Sequence, residues 1–392
     1  MDNIININFL RDLILSQLNN KEINTVPDDV DLNSFCKLAS LHQMEYILLN
    51  PLLSMDIDKN LKASISNRLA RDTFIDLGQR QQINDITRNL EDYGIDFLIM
   101  KGSILKQIYP KSVMRQMGDI DLMIYDKTMN RSRELFKFMG YNLTESVKIH
   151  DVYHKDPFWI VEAHWSLFDK NVDKKIYDYY QTRRAILKEG TKSTYELSNE
   201  DFYVYMIAHM AKHFYENGCG IRNLVDIYVF LEHYKNEINY DKLEQELENC
   251  GLSTFEYQTR RLAYDWLECK ELDELEQSLF YFMLDCGVYG KGENGFWSQY
   301  AKQDNNDNLD DVIKGKWLLF PPRSYMKEFY PKLEKHPSLL PFYWIWRGVK
   351  GLTNKESRKR HIELTKVDTA KARTIVDLYK NMGLDFTRSD NN

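Results

Sequence analysis

Cysteine is scarce and unpatterned. The five residues Cys36, Cys219, Cys250, Cys269 and Cys286 are odd in number and nowhere spaced C-x-x-C, which excludes a disulfide framework, a cysteine-built zinc module and a dithiol redox pair. A reducing compartment is the matching environment. No run of about 18 apolar residues occurs, and the first residues, MDNIININFLRDLILSQ, intersperse Asn, Asp and Arg before any apolar stretch can build. A soluble, cytoplasmic chain with no membrane association is therefore expected. Glycine (17) and proline (9) are too few for collagen-like or low-complexity classes. Positive charge is short as well: 52 Lys and Arg stand against 59 Asp and Glu, a formal net charge of −7, so bulk attraction to nucleic acid is not expected and would need a local basic patch. No internal repeat is present.

What remains is an ordinary globular composition, 43% hydrophobic and 28% charged over 392 residues, longer than one core usually serves. Apolar residues fall at helical spacing from Ile4 to about Tyr93, which predicts three or four helices, the last near Leu61 to Tyr93 and closed by Gly94. The period then changes. Ile95 to Met100 predicts a buried strand that turns through Lys101-Gly102-Ser103 into a helix ending near Tyr109-Pro110. Met117 to Tyr125 is a second strand, a helix spans about Thr128 to Met139, and further strands are expected near Tyr141 to Leu143, Val152 to His154 and Phe158 to Trp165. After Lys170 the pattern is helical again, notably over 201–215, 221–234, 243–250, 257–269, 274–286 and 366–382. The expected architecture is α+β: a helical region over 1–93, a small mixed-sheet α/β core over 94–170 and a helical domain over 171–392.

Asp119 and Asp121 alternate with Ile120 and Leu122, so the two acids share one face of their strand, roughly 6.5–7 Å apart along it. Two such carboxylates repel unless a cation lies between them, and hard oxygen ligands suit Mg²⁺. Taken alone the pair also fits two solvent-facing acids of a half-buried strand. Gly102 and Ser103, about 16 residues upstream at a strand-to-helix turn, add backbone that can approach a ligand closely and a hydroxyl donor. Glu162 and His164 alternate with Val161 and Ala163 and so project from one face of a later strand.

The segments Leu98-Ile99-Met100-Lys101-Gly102-Ser103, Arg115-Gln116-Met117-Gly118-Asp119-Ile120-Asp121-Leu122 and Val161-Glu162-Ala163-His164-Trp165 resemble the bacterial uncharacterised nucleotidyltransferase family of the polymerase-β-like superfamily. Later stretches around His209 to His213, Ile221 to Asp226 and Leu319 to Pro341 are similar too, so the resemblance extends over most of the chain. It implies a polymerase-β-like core in which Gly102 and Ser103 contact the triphosphate, Asp119 and Asp121 ligate Mg²⁺, and Glu162 is the third acid. The superfamily more often has Asp at that third position. By charge, Lys101 and Arg115 flank the loop and the acid strand and are candidates to offset phosphate charge, or else to form plain surface ion pairs. With two Mg²⁺ ions, such a site would transfer a nucleoside monophosphate from a nucleoside triphosphate, ATP being the expected one, to a hydroxyl of an unknown small molecule or protein side chain. A catalytically silent nucleotide-binding or regulatory protein of the same fold, and a phosphotransferase attacking the γ-phosphate, are the alternatives.

Other signals are weaker. His209 and His213 share a helix face but lack the Glu of H-E-x-x-H, and packing is their expected role. Arg222 and Asp226, four apart, are expected to pair within their helix. Gly290-Lys291-Gly292-Glu293-Asn294-Gly295 matches G-x-G-x-x-G literally, but follows a helix and predicts a plain loop. The acidic loop Asp304 to Asp311 has Leu309 where a calcium loop needs Gly. Trp317, Phe320, Phe329, Tyr330, Phe342, Tyr343, Trp344 and Trp346 are expected in the core of the last helical layer.

Overall fold

Asp58 accepts hydrogen bonds from the amides of Asn60 and Leu61 and so starts a 34-residue helix, α4 (Lys59–Asp92), preceded by α1 (Ile7–Leu18), α2 (Leu32–Leu41) and α3 (Glu45–Leu49). The helix ends at Tyr93, and Gly94 turns the chain with φ +60°. This is a computed structural model, and it describes residues 6–126, 129–147, 149–170, 174–182, 185–292, 294–302, 320–330, 332–353, 369–384 and 386.

After Gly94 the chain enters a mixed sheet. Its strands are β1 (Phe97–Ile99), β2 (Ile120–Ile124), β3 (Asn142–Ser146), β4 (His150–Lys155), β5 (Trp159–His164), β6 (Ile186–Leu187) and β7 (Thr194–Glu196), in the order β3-β4-β5-β2-β1-β7-β6. The central β2 runs antiparallel to β1 and parallel to β5, with Asp121 opposite Glu162 and Met123 opposite His164. Helix α5 (Gly102–Ile108) follows β1, and α6 (Asn130–Phe138) links β2 to β3. The last two strands correct the expectation that the chain past Lys170 is wholly helical. β7 pairs parallel with β1, and β6 closes the edge.

Period-2 alternation gives the sheet two unlike faces. Ile120, Leu122, Ile124, Val161, Ala163 and Tyr153 point to one side and pack with Ile83, Ile86 and Leu90 of α4 and with Leu135 and Phe136 of α6. The other side carries the acids. Helices α7 (Lys174–Gln181), α8 (Asn199–Asn217), α9 (Arg222–Tyr234), α10 (Tyr240–Asn249), α11 (Ser253–Leu267), α12 (Glu274–Cys286) and α13 (Asn294–Lys302) follow. A second, larger core joins the amino-terminal helices to these and to the helix Thr369–Asn381, running from Phe9 to Phe386.

The loop reading of Gly290 to Gly295 holds for Gly290 to Gly292, an irregular stretch after α12, but Asn294 and Gly295 already belong to α13; Glu293 lies outside the described residues. The acidic loop 304–311 and Trp317 also lie outside them. The late aromatic group is not all core: Phe320, Phe342 and Trp346 are more than half exposed, while Tyr330 and Tyr343 stack with centroids 4.4 Å apart.

Candidate active site

Register brings the sequence-predicted acids together. Asp121 and Glu162 are direct neighbours across β2 and β5, and Asp119 lies two residues before Asp121 where the strand begins. Asp121 is buried, at 3% exposure, which overturns its reading as a solvent-facing acid. Its Oδ1 accepts from Lys101 Nζ at 2.6 Å and lies 3.2 Å from His164 Nε2. The same His164 nitrogen lies 3.4 Å from Glu162 Oε2.

The charges shape one another. Burial pushes the Asp119 carboxyl up to about 6, and repulsion from Asp121 adds to it, with Lys101 opposing. Burial would raise Asp121 too, but Lys101 and His164 hold it well below the ordinary carboxylate range. Glu162 is lowered, first by its hydrogen bond with His164, against burial and Asp121. Lys101 stays firmly charged: burial works against its ammonium and is outweighed by Asp121, Tyr205 and Asp119. Its backbone has φ +47°, a conformation a side chain other than glycine rarely holds without support. The Asp121 ion pair supplies that support.

Helix α8 faces this cluster with residues four apart. Burial raises the Tyr205 phenol, with Asp121, Glu162 and Asp119 adding and Lys101 opposing. His209 and His213, whose Nε2 atoms are 3.0 Å apart, are both held neutral, chiefly by burial; His213 is pushed down to about 3. His164, expected on the same strand face as Glu162, belongs to the acid cluster. Tyr205 and His150, which lies opposite His164 across β4 and β5, were not found by sequence reasoning. Tyr205 had a findable signal, since it precedes His209 by one helical turn of four.

Two sequence-predicted residues are placed differently. Arg115 is buried, not at the surface, and forks onto Asp226 of α9 with Nε at 3.3 Å and Nη2 at 2.9 Å. Asp226 also accepts from the Tyr109 hydroxyl at 2.8 Å. That corrects the expected Arg222–Asp226 pair. Arg222 instead donates to Gln43 Oε1 and to the Gln116 carbonyl, because Arg115 already fills the carboxylate. Ser103 is buried, its hydroxyl 3.9 Å from Met117 Sδ and its amide donating to the Met100 carbonyl. Gly102 is required by crowding: a Cβ there would sit 2.6 Å from Arg115 Nη1 and 3.1 Å from Met117 Cβ.

Three convergent carboxylates, one kept charged by a lysine and one raised by burial and by its neighbour, are a donor set that fits a hard divalent cation. The α+β core pairs an acid-x-acid strand in parallel with a strand bearing a third acid. The family comparison supplies the class, a nucleotide-transferring enzyme. Residues 28–268 match the family described as uncharacterised nucleotidyltransferase, and the chain belongs to that family. No curated protein and no solved structure matches it. Among the described residues, no helix is long and apolar enough to cross a membrane.

Proposed function

We propose that this nucleotidyltransferase transfers a nucleoside monophosphate from ATP to a hydroxyl of a small molecule or a protein side chain, with Mg²⁺ held by Asp119, Asp121 and Glu162. The observation that carries the reading is the register of Asp121 with Glu162, beside Asp119 and under the charged Lys101. When bound, Mg²⁺ supplies charge stabilisation at the α-phosphate and at the leaving pyrophosphate.

The chain's own residues do the rest. The acceptor oxygen attacks the α-phosphorus, the bond from that phosphorus to the bridging oxygen of the β-phosphate breaks, and pyrophosphate leaves. Glu162, partly exposed and held ionised by His164, takes the acceptor's proton. Lys101 offsets charge on the phosphates as a point charge. Gly102 lets the loop pass close to the nucleotide, and Ser103 and Arg115 shape that loop from below, Arg115 through its tie to Asp226. Tyr205, His209 and His213 of α8 form the opposite wall of neutral polar groups. A formal net charge of −7 disfavours a nucleic-acid acceptor.

The test begins with binding, because the acceptor is unidentified. A non-hydrolysable ATP analogue should bind only with Mg²⁺, and the Asp119→Ala/Asp121→Ala variant should lose at least about a hundredfold in affinity. In cell extract, label from α-³²P nucleotide should pass to an acceptor with pyrophosphate released, tried with all four nucleotides. Transfer of γ-label with ADP as product would make the enzyme a phosphotransferase. Binding indifferent to Mg²⁺ and to both aspartates would overturn the proposal.

A further inference from the structure

We infer that His150, Glu162 and His164 form a site for a divalent transition ion of the zinc class, distinct in ligand chemistry from the all-carboxylate pair Asp119 and Asp121. The inference shares two residues with the proposed function, Glu162 as a ligand and Asp121 as the carboxylate that orients His164; His150 and His164 are its own as ligands.

Strand pairing builds the group. His150 opens β4 and lies opposite His164 of β5, and residues directly opposite across a sheet point to the same face. Glu162 precedes His164 by two residues and therefore shares that face. One donor atom from each residue lies within 4.8 Å of the others, and the imidazole centroids are 4.7 Å apart. Ligands held by one ion at about 2.0–2.2 Å in tetrahedral array sit roughly 3.3–3.5 Å from each other. Donors within 4.8 Å of one another reach that spacing with about 1 Å of side-chain adjustment.

The hydrogen-bond account points to a missing ligand. Nδ1 of His150 and Nδ1 of His164 are buried without a hydrogen-bond partner, and the His164 side chain is only 8% exposed. A neutral imidazole carries one N–H, yet His164 Nε2 stands between two carboxylates, Asp121 Oδ1 at 3.2 Å and Glu162 Oε2 at 3.4 Å. One proton cannot serve both. An ion taking the two unpartnered Nδ1 lone pairs and one Glu162 oxygen leaves the His164 Nε2 proton to Asp121 alone, the outer carboxylate that orients the ring, which is the usual arrangement around metal-bound histidine. Two imidazoles with one carboxylate select zinc-class ions over Mg²⁺, which keeps to oxygen. Three protein ligands also leave a fourth position open for water or an acceptor oxygen.

The test uses Co²⁺ as a spectroscopic stand-in for Zn²⁺, added to the metal-free full-length chain in the presence of excess Mg²⁺. One equivalent should bind with the intense visible absorption of a four-coordinate site, and Zn²⁺ should displace it. His150→Gln and His164→Gln should each weaken binding at least tenfold while far-ultraviolet circular dichroism stays native. His150→Cys, which restores a ligand of different chemistry, should recover binding and add a thiolate-to-cobalt charge-transfer band. A wild-type spectrum of weak octahedral type, displacement by Mg²⁺, or binding unchanged by His150→Gln overturns the inference. Mg²⁺-dependent nucleotide binding measured on His150→Gln separates the two readings. Its retention together with lost Co²⁺ binding supports both, whereas its absence in wild type alongside intact Co²⁺ binding removes only the proposed function.

Discussion

Asp119 is retained at a cost to the fold. Burial and the charge of Asp121 two residues away both work against its ionised form, so in the metal-free protein Asp119→Asn relieves a repulsion and keeps the side-chain size. We expect this variant to be more stable than wild type by on the order of 1–2 kcal/mol near neutral pH, while losing Mg²⁺-dependent nucleotide binding. Thermal unfolding without divalent ions reads the first effect. No gain in melting temperature would mean that Lys101 alone neutralises the cluster. A pH effect belongs to a buried residue outside the acid cluster. His42, fully buried with Nε2 3.1 Å from the Leu284 carbonyl, is pushed down by burial to about 4. Between about pH 4 and 6.5 the unfolded chain binds a proton that the native ring refuses, so stability rises with pH through that window and is lost on acidification. From about pH 7 to about pH 5 the His42 contribution should fall by about 2 kcal/mol, and urea unfolding of His42→Asn should show a shallower pH slope by that amount. An unchanged slope would mean the ring is protonated in the native state.

At the scale of elements, the long periodic segments were legible and the short ones were not. Helix α4, expected over Leu61 to Tyr93, spans Lys59–Asp92, because its apolar period and its Gly94 stop are both local signals. β6 and β7, of two and three residues, are too short to show an alternation, and only their pairing, β7 with β1 and β6 with β7, makes them strands. The Arg222–Asp226 spacing misled for a related reason: Arg115 is 111 residues from Asp226 and no local pattern reports it. Gly78 shows the opposite limit, where a local rule predicts the wrong sign. Alanine favours a helix over glycine by roughly 1 kcal/mol, yet a Cβ at position 78 would meet the Trp159 ring at 2.1 Å. Displacing that ring from the sheet costs about 1–3 kcal/mol. Gly78→Ala should therefore destabilise by about 1 kcal/mol net, with a shifted Trp159 fluorescence. A stabilised variant would show that the α4 and β5 contact yields freely.

For the molecule as a whole, the chemistry was more legible than its enclosure. Asp119, Asp121, Glu162 and Lys101 could be read from short motifs because strand alternation fixes their faces, but Tyr205 and His150 reach the site only through the packing of α8 and the pairing of β4 with β5. That packing depends on chain beyond the family match, which ends at residue 268. Behind α8, opposite the side that bears Tyr205 and His209, the helix Thr369–Asn381 inserts Tyr379, whose hydroxyl donates to the Phe214 carbonyl at 2.9 Å and whose ring meets that of Phe214 at 5.2 Å. Ala372, Ile375, Val376, Leu378 and Met382 are buried in the same core as Phe9 and Leu10. Losing even two or three such side chains, at about 2–5 kcal/mol each, spans the whole stability of an ordinary domain. Deleting residues 369–392 should thus abolish cooperative unfolding of the entire chain, the sheet included, although no acid of the site is touched. Tyr379→Ala is the graded version, expected to cost about 3–5 kcal/mol in urea unfolding and to leave one transition, because the larger core that holds Tyr379 also takes in Leu98 of β1. A truncated protein that still melts cooperatively and binds nucleotide with Mg²⁺ would show instead that the matched region folds by itself and that the last helix is only laid against it.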